Sequence, residues 1–158
     1  MADKKNLITE AGLAKLQEEL DYRVSVVRNE IAKEIEFARG YGDLSENAEY
    51  TEAKNKQSEN ETEIARLQAA IRNANVVSDD QISTERVSVG TTVTVEDLSN
   101  GGDVTYSIVG AEEADPFEGK ISNECPVGAG LVGAEVGQIV EVEVPMGVLK
   151  FRVKEINR

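Results

Sequence analysis

Apolar residues follow one stripe through the first quarter of the chain: Leu13, Leu16, Leu20, Val24, Val27, Ile31, Ile35 and Ala38. Their spacing is 3-4-4-3-4-4-3, an eleven-residue repeat of 3.67 residues per turn, close to the natural helical period, which predicts a nearly straight helix. Thr9 is suited to cap it, with Ile8 before and Leu13 four places after as a hydrophobic staple. No Gly or Pro falls between Leu13 and Arg39, so the helix should run roughly 27–30 residues, or about 40–45 Å. Gly40-Tyr41-Gly42 then supplies the positive φ angles of a helix stop and a sharp reversal. A second helix is expected from about Leu44 or Ser45 to about Ala74. Its apolar positions Ile64, Leu67, Ile71 and Ala74 follow 3-4-3 spacing, while the same stripe continued toward the reversal meets Gln57 and Asn60. The tight reversal favours an antiparallel intramolecular pair over an intermolecular coiled coil. The base of this hairpin is an apolar seam; its distal half relies on the first helix's stripe and on polar contacts.

After Asn75 the helical period stops, and from Val87 the pattern alternates. Val87-Val89, Thr91-Val93-Val95, Val104-Tyr106-Ile108, Ile139 to Val144 and Val148 to Ile156 read as strands, with Pro145-Met146-Gly147 joining the last two as a hairpin. The stretch from Cys125 to Val136 reads as a turn and one short helix, in its second part Leu131–Val136. The fold class is therefore α+β: a helical hairpin over residues 1–78, with its tip at 40–48, followed over 79–158 by a small twisted antiparallel sheet with one short helix.

Charge changes this picture more than bulk composition does. The chain has 158 residues and a net charge of -13, and the acidity is uneven. Residues 1–78 carry 11 Lys+Arg against 15 Asp+Glu, whereas residues 79–158 carry six against 15. Phosphate contacts dominate nucleic-acid affinity, so no independent DNA binding is expected, and a basic protein partner suits the acidic body. The start lacks a signal-peptide apolar core and no apolar run approaches the length of a membrane span, which predicts a cytoplasmic protein without membrane attachment. There is no histidine and one cysteine, Cys125. Zinc sites of Cys and His are thereby excluded, and Cys125, with no histidine to act as its base, reads as a small packed side chain.

Carboxylates are thus the chemistry on offer, and Asp43 and Glu46 lie at the reversal. Asp-x-x-Glu at a helix start reads as a capping box, with Asp43 on the amides and Glu46 reaching back. The alternative reading of the pair is as two ligands for a divalent cation. Mg²⁺ is held by one or two protein carboxylates together with water and substrate phosphates, and a pair this sparse binds it only inside a site already holding a metal and a phosphodiester. A slender hairpin can reach the bottom of a deep channel to deliver it.

The segment Gly42-Asp43-Leu44-Ser45-Glu46-Asn47-Ala48-Glu49-Tyr50, the helical stripes beside it, and Ile121-Ser122 with Pro126 in the β half resemble the Gre family of bacterial transcript-cleavage factors over essentially the whole chain. The resemblance implies an N-terminal coiled-coil hairpin and a C-terminal FKBP-like domain that docks at the rim of the RNA polymerase secondary channel. It implies that Asp43 and Glu46 match the family's catalytic carboxylates, which hold a second Mg²⁺ shared with the polymerase active site while the polymerase cuts its own RNA. The protein is then an activator of polymerase's nuclease activity and not an enzyme. Arg39, Lys54 and Lys56 match basic positions that guide the nascent RNA 3′ end, or else lie over the hairpin and balance its acids. Tyr41 and Tyr50 either stack on a base or pack. Glu124 and Pro126 fall in the polymerase-docking segment, with Cys125 where serine is common. The rivals are a channel-binding regulator that does not cleave, a zinc-containing channel binder, a peptidyl-prolyl isomerase and a coiled-coil adaptor. The intact Asp-Leu-x-Glu-Asn spacing, the missing cysteine cluster and the scarcity of aromatic residues weigh against the first three. The adaptor predicts that neutral substitutions at the tip leave function intact.

Overall fold

The computed structural model describes residues 6–42 and 47–158, the side chain of Asp79 excepted. These form two compact units: Ala14–Asn73, and Ala74–Arg158 together with the N-terminal residues through Leu13.

The first unit is helical. The apolar stripe forms α1 (Glu10–Tyr22), a π-helical segment Arg23–Val27, and α2 (Arg28–Arg39). After the reversal, α3 spans Ala48–Arg72. Ile31 and Ile35 of α2 are buried against Ala53 of α3, with Val27 and Tyr50 packed on this cluster. Ile64 and Leu67 are buried as their spacing predicts. The π segment departs from the straight helix expected from the stripe. Here Val24 and Val26 face solvent, and the Arg28 N–H bonds to the Arg23 carbonyl five residues back. Two causes converge. The run Val24-Ser25-Val26-Val27 is rich in β-branched side chains, which resist the helix, and the Ser25 hydroxyl donates to the Asp21 carbonyl at 2.5 Å. The widened turn is then met from α3. Asn60, only 4% exposed, donates to the Arg23 carbonyl at 3.3 Å and accepts from Arg23 Nη1 at 3.2 Å. A polar residue in the seam is thereby satisfied on both sides.

The second unit is a sheet domain whose five main strands are β3 (Thr92–Asp97), β4 (Asp103–Val109), β5 (Lys120–Ser122), β6 (Ile139–Val144) and β7 (Gly147–Asn157). Their order in the sheet is β5-β4-β3-β7-β6. The pairings are antiparallel except β4–β5, which is parallel. Val93, Val95, Ile108, Leu131, Phe151 and Val153 build the core, and Tyr106 meets Phe151 edge to face at 6.5 Å. Val87 and Val89 are buried in it without forming a strand. The short helix α4 is Pro126–Leu131, earlier in the chain than Leu131–Val136, because Pro126 stands at its first position and Cys125 caps it.

A two-stranded parallel pair also belongs to this unit: β1 (Leu7–Thr9) against β2 (Asn75–Val77). Leu7 and Val77 pack on the sheet core. Thr9 caps α1 as expected, its Oγ1 accepting from Gly12 N at 3.1 Å. Beyond the expectation, the Glu113 carboxylate accepts from Thr9 N at 3.0 Å, from the Thr9 hydroxyl, and from Gly110 N at 3.3 Å. Gly110 lies so close to β1 that a Cβ there would stand 1.8 Å from the Leu7 carbonyl oxygen.

Candidate functional site

The reversal of the hairpin is built from both sides. On the α2 side, the N–H groups of Gly40, Tyr41 and Gly42 fold back onto the carbonyls of Phe37, Ala38 and Arg39 at 3.1, 3.2 and 3.2 Å, and Gly42 takes φ +99°. On the α3 side, Asn47 is extended and its side chain accepts the Tyr50 N–H at 3.0 Å. The same amide donates to the Ala38 carbonyl at 2.6 Å. One side chain thus caps the second helix and ties it to the end of the first.

This corrects the start of the second helix, which is Ala48 and not Leu44 or Ser45, and its end, which is Arg72 and not Ala74. It also gives the cap to Asn47. Asp43 and Glu46 themselves lie outside the described residues. Among the described residues no group of three or more His, Cys, Asp or Glu could hold a metal ion.

The basic candidates separate. Arg39 is exposed in the last turn of α2. Lys54 is exposed and donates to Gln57 Oε1 at 2.7 Å. Lys56, two residues on and so on a different side of α3, pairs with Glu34 at 3.1 Å, and the hydrogen bond to that carboxylate raises its pKa. It balances an acid across the hairpin. Tyr50 packs, as noted. Tyr41 does not: it is 63% exposed and meets Phe37, 68% exposed, edge to face at 5.4 Å. Phe37 escaped the sequence reading because it lies off the apolar stripe. An aromatic residue off the stripe and four places before Tyr41 was the signal for it.

In the sheet unit, Glu124 and Pro126 are both exposed. They flank Cys125 in a tight turn in which Ser122 Oγ accepts the Glu124 N–H at 2.9 Å and Cys125 Sγ accepts the Gly128 N–H at 3.3 Å. Cys125 is thus a helix cap.

Among known proteins, the model described as "Transcription elongation factor, N-terminal" matches residues 6–76, and that described as "Transcription elongation factor, GreA/GreB, C-term" matches residues 82–158. The chain is 51% identical to transcription elongation factor GreA of Clostridium perfringens over 158 residues, all of both chains. It is 48% identical to transcription elongation factor GreA of Thermoanaerobacter pseudethanolicus, covering 98% of this chain and 99% of the other. The crystal structure of GreA factor homolog 1 (Gfh1) of Thermus thermophilus matches at 25% identity and a TM-score of 0.44, covering 98% and 99%.

Proposed function

The chain belongs to the GreA/GreB transcription elongation factor family, and we propose that it acts through Asp43 and Glu46. It is a transcript-cleavage elongation factor, a protein that works with RNA polymerase and is not an enzyme by itself. In the proposed mechanism the hairpin enters the polymerase secondary channel of a backtracked complex and brings the two carboxylates to the extruded RNA 3′ end. Carboxylate oxygens are the donor type that Mg²⁺ takes, and two of them leave most of its coordination to water, phosphate and the partner. When bound, Mg²⁺ supplies water activation and charge neutralisation at the phosphodiester. The work of this chain is to hold, place and withdraw its two acids; the polymerase cuts. Arg39 and Lys54 steer the RNA backbone beside them. No helix among the described residues is long and apolar enough to cross a membrane, and the site of action proposed is the cytoplasm.

The observation that carries this reading is Asn47. Because Asn47 caps α3 and closes the reversal, the second helix does not depend on Asp43 for its cap. That removes the need for a cap from the sequence position of Asp43 and supports a chemical role for the pair.

The test uses purified RNA polymerase, backtracked on a template with labelled transcript and Mg²⁺. Wild-type protein should release 3′ fragments. The double variant Asp43→Asn with Glu46→Gln should bind the complex equally and lose at least the roughly 10–100-fold that disturbing a metal site costs. Equal binding by both with no acceleration by either would make the chain a non-cleaving channel regulator.

A further inference from the structure

Burial in the middle of the first helix runs against hydrophobicity. The spacing of the stripe assigns Val24 to the seam, yet Val24 and Val26 are exposed, and Arg23 is half-buried in their stead. Arg23 lines the groove between the helices together with Val27, Ile31 and Asn60. A fold governed by apolar burial alone would turn the valines in and the arginine out. The π turn Arg23–Val27 produces the exchange. An i→i+5 turn takes up one residue more than an α turn, so the helix after it is set back by about one residue, roughly 100° of rotation about its axis. Within the helical unit, α2 and the reversal that follows it take their rotational setting, relative to Ala14–Tyr22, from this one turn.

The turn is held open from the opposite helix. The β-branched run and the Ser25 bond loosen an α turn without choosing its replacement. Asn60 makes that choice. The Arg23 carbonyl accepts the Arg28 N–H, the bond that defines the wide turn, and the Asn60 amide donates to that same carbonyl at 3.3 Å. The Asn60 oxygen accepts from Arg23 Nη1 at 3.2 Å, and Glu19 holds the other side of the guanidinium, Nε to Oε1, at 3.2 Å. One side chain of α3 thus fixes both the backbone and the side chain of Arg23. It stands 13 residues after Asn47, about 20 Å along the helix from the reversal. A polar residue at a seam position lowers stability relative to a well-packed apolar one, and its best-attested use is to specify how two helices are set against each other.

We propose that Asn60 is a positioning residue for transcript cleavage: by pinning the Arg23 carbonyl it keeps the π turn, and so sets the angle of the reversal that carries Asp43 and Glu46. This rests on the functional reading above and adds to it a residue remote from the acids that acts through the helix and not on RNA or metal. Asn60 governs the rate of cleavage and leaves the affinity for polymerase alone.

The experiment compares full-length wild type with two variants. The double variant Arg23→Leu with Asn60→Leu makes the seam apolar. Asn60→Asp keeps an acceptor for Arg23 and loses the donor to its carbonyl. For each, the melting temperature, the Kd for RNA polymerase and the cleavage rate at saturating protein in backtracked complexes are measured. The double variant should melt no lower than wild type, because replacing a buried polar pair by packed apolar side chains is neutral or stabilising. Its Kd should be unchanged and its saturating cleavage at least about tenfold slower, since small misplacements of reacting groups act on that scale. Asn60→Asp should show the same split between rate and Kd. In a crystal structure of the double variant, Val24 should turn into the seam and the Arg28 N–H should move to the Val24 carbonyl.

Wild-type cleavage by either variant overturns the proposal. A loss confined to Kd does so too, and so does a loss that follows a lowered melting temperature, since the pair is then only structural. Retention of the π turn in the double variant also overturns it. A wild type that accelerates no cleavage overturns the functional reading instead, and the crystal structure of the double variant still decides whether Asn60 holds the turn.

Discussion

Asp97 gathers three hydrogen bonds onto one carboxylate at the β3–β4 turn. Oδ1 accepts from Ser99 N at 2.9 Å and Asn100 N at 3.0 Å, and Oδ2 accepts from Asn100 Nδ2 at 3.2 Å. The Asn100 backbone bond, helped by its side chain and by Ser99, holds the carboxyl below its ordinary value. The ionised group therefore stabilises the fold at pH above the unfolded pKa, about 3.9, and that contribution is lost as pH falls through the lower native value. Asp97→Asn keeps the Oδ1 acceptor and removes the titration. Melting temperatures measured from neutral to about pH 2 should fall less steeply on the acid side in the variant than in wild type. Single residues such as this were hard to read in advance. Asn47 shows why: Asp43-x-x-Glu46 has the look of a capping box, whereas Asn47 signals its role only through an N–H three residues later and a carbonyl nine residues earlier. Cys125 is half-buried and caps α4, and that capping bond has no sequence signature.

At the scale of elements, length decides what a pattern reveals. The helices were legible because the stripe repeats over many turns, and Gln57 and Asn60 were seen to interrupt the seam. The π segment was hidden within the same stripe, since Val24 and Val27 carry the correct spacing whether the turn holds one more residue or not. The three-residue strands β1, β2 and β5 are too short to show alternation, and their parallel pairing depends on partners distant in sequence. Val87 and Val89 illustrate the converse, since alternation reported burial where no strand forms and Val87 instead bonds through its backbone to Gly133 and Ala134. The seat of β1 makes a clear prediction. Gly110 has an unstrained backbone, φ −73° and ψ 163°, so Gly110→Ala carries no conformational penalty. Its only fault is a methyl group 1.8 Å from the Leu7 carbonyl. It should lower stability by about 1–3 kcal/mol in urea denaturation, with hydrogen exchange accelerated first at Leu7–Thr9 and Asn75–Val77.

For the whole molecule, the unit boundary does not follow the change of hydrophobic period. The chain through Leu13 groups by contact with the sheet unit, and the cap of α1 draws on Glu113. A protein ending at Ser78 keeps both helices and the Thr9–Gly12 bond but loses that carboxylate and the sheet beneath Leu7. It should show less helix per residue by far-ultraviolet circular dichroism than the same segment in the full chain, with a loss at the capped end of about 0.5–2 kcal/mol. The overall α+β order was legible because the hydrophobic period changes once, near Asn75, and the polymerase-directed family was legible at the nine-residue reversal.

The distance from Thr9 to Glu113 also acts during synthesis. The two residues are 104 positions apart, so at about 5–20 residues per second the first helix leaves the ribosome about 5–20 s before the group that seals it. Over that interval its first turn is free to fray while the hairpin assembles. Only a chain translated well into the sheet domain can complete the seat of its own beginning, so a product cut short before Glu113 carries both helices with an amino end held by the Thr9–Gly12 bond alone, and should be cut there sooner by added protease.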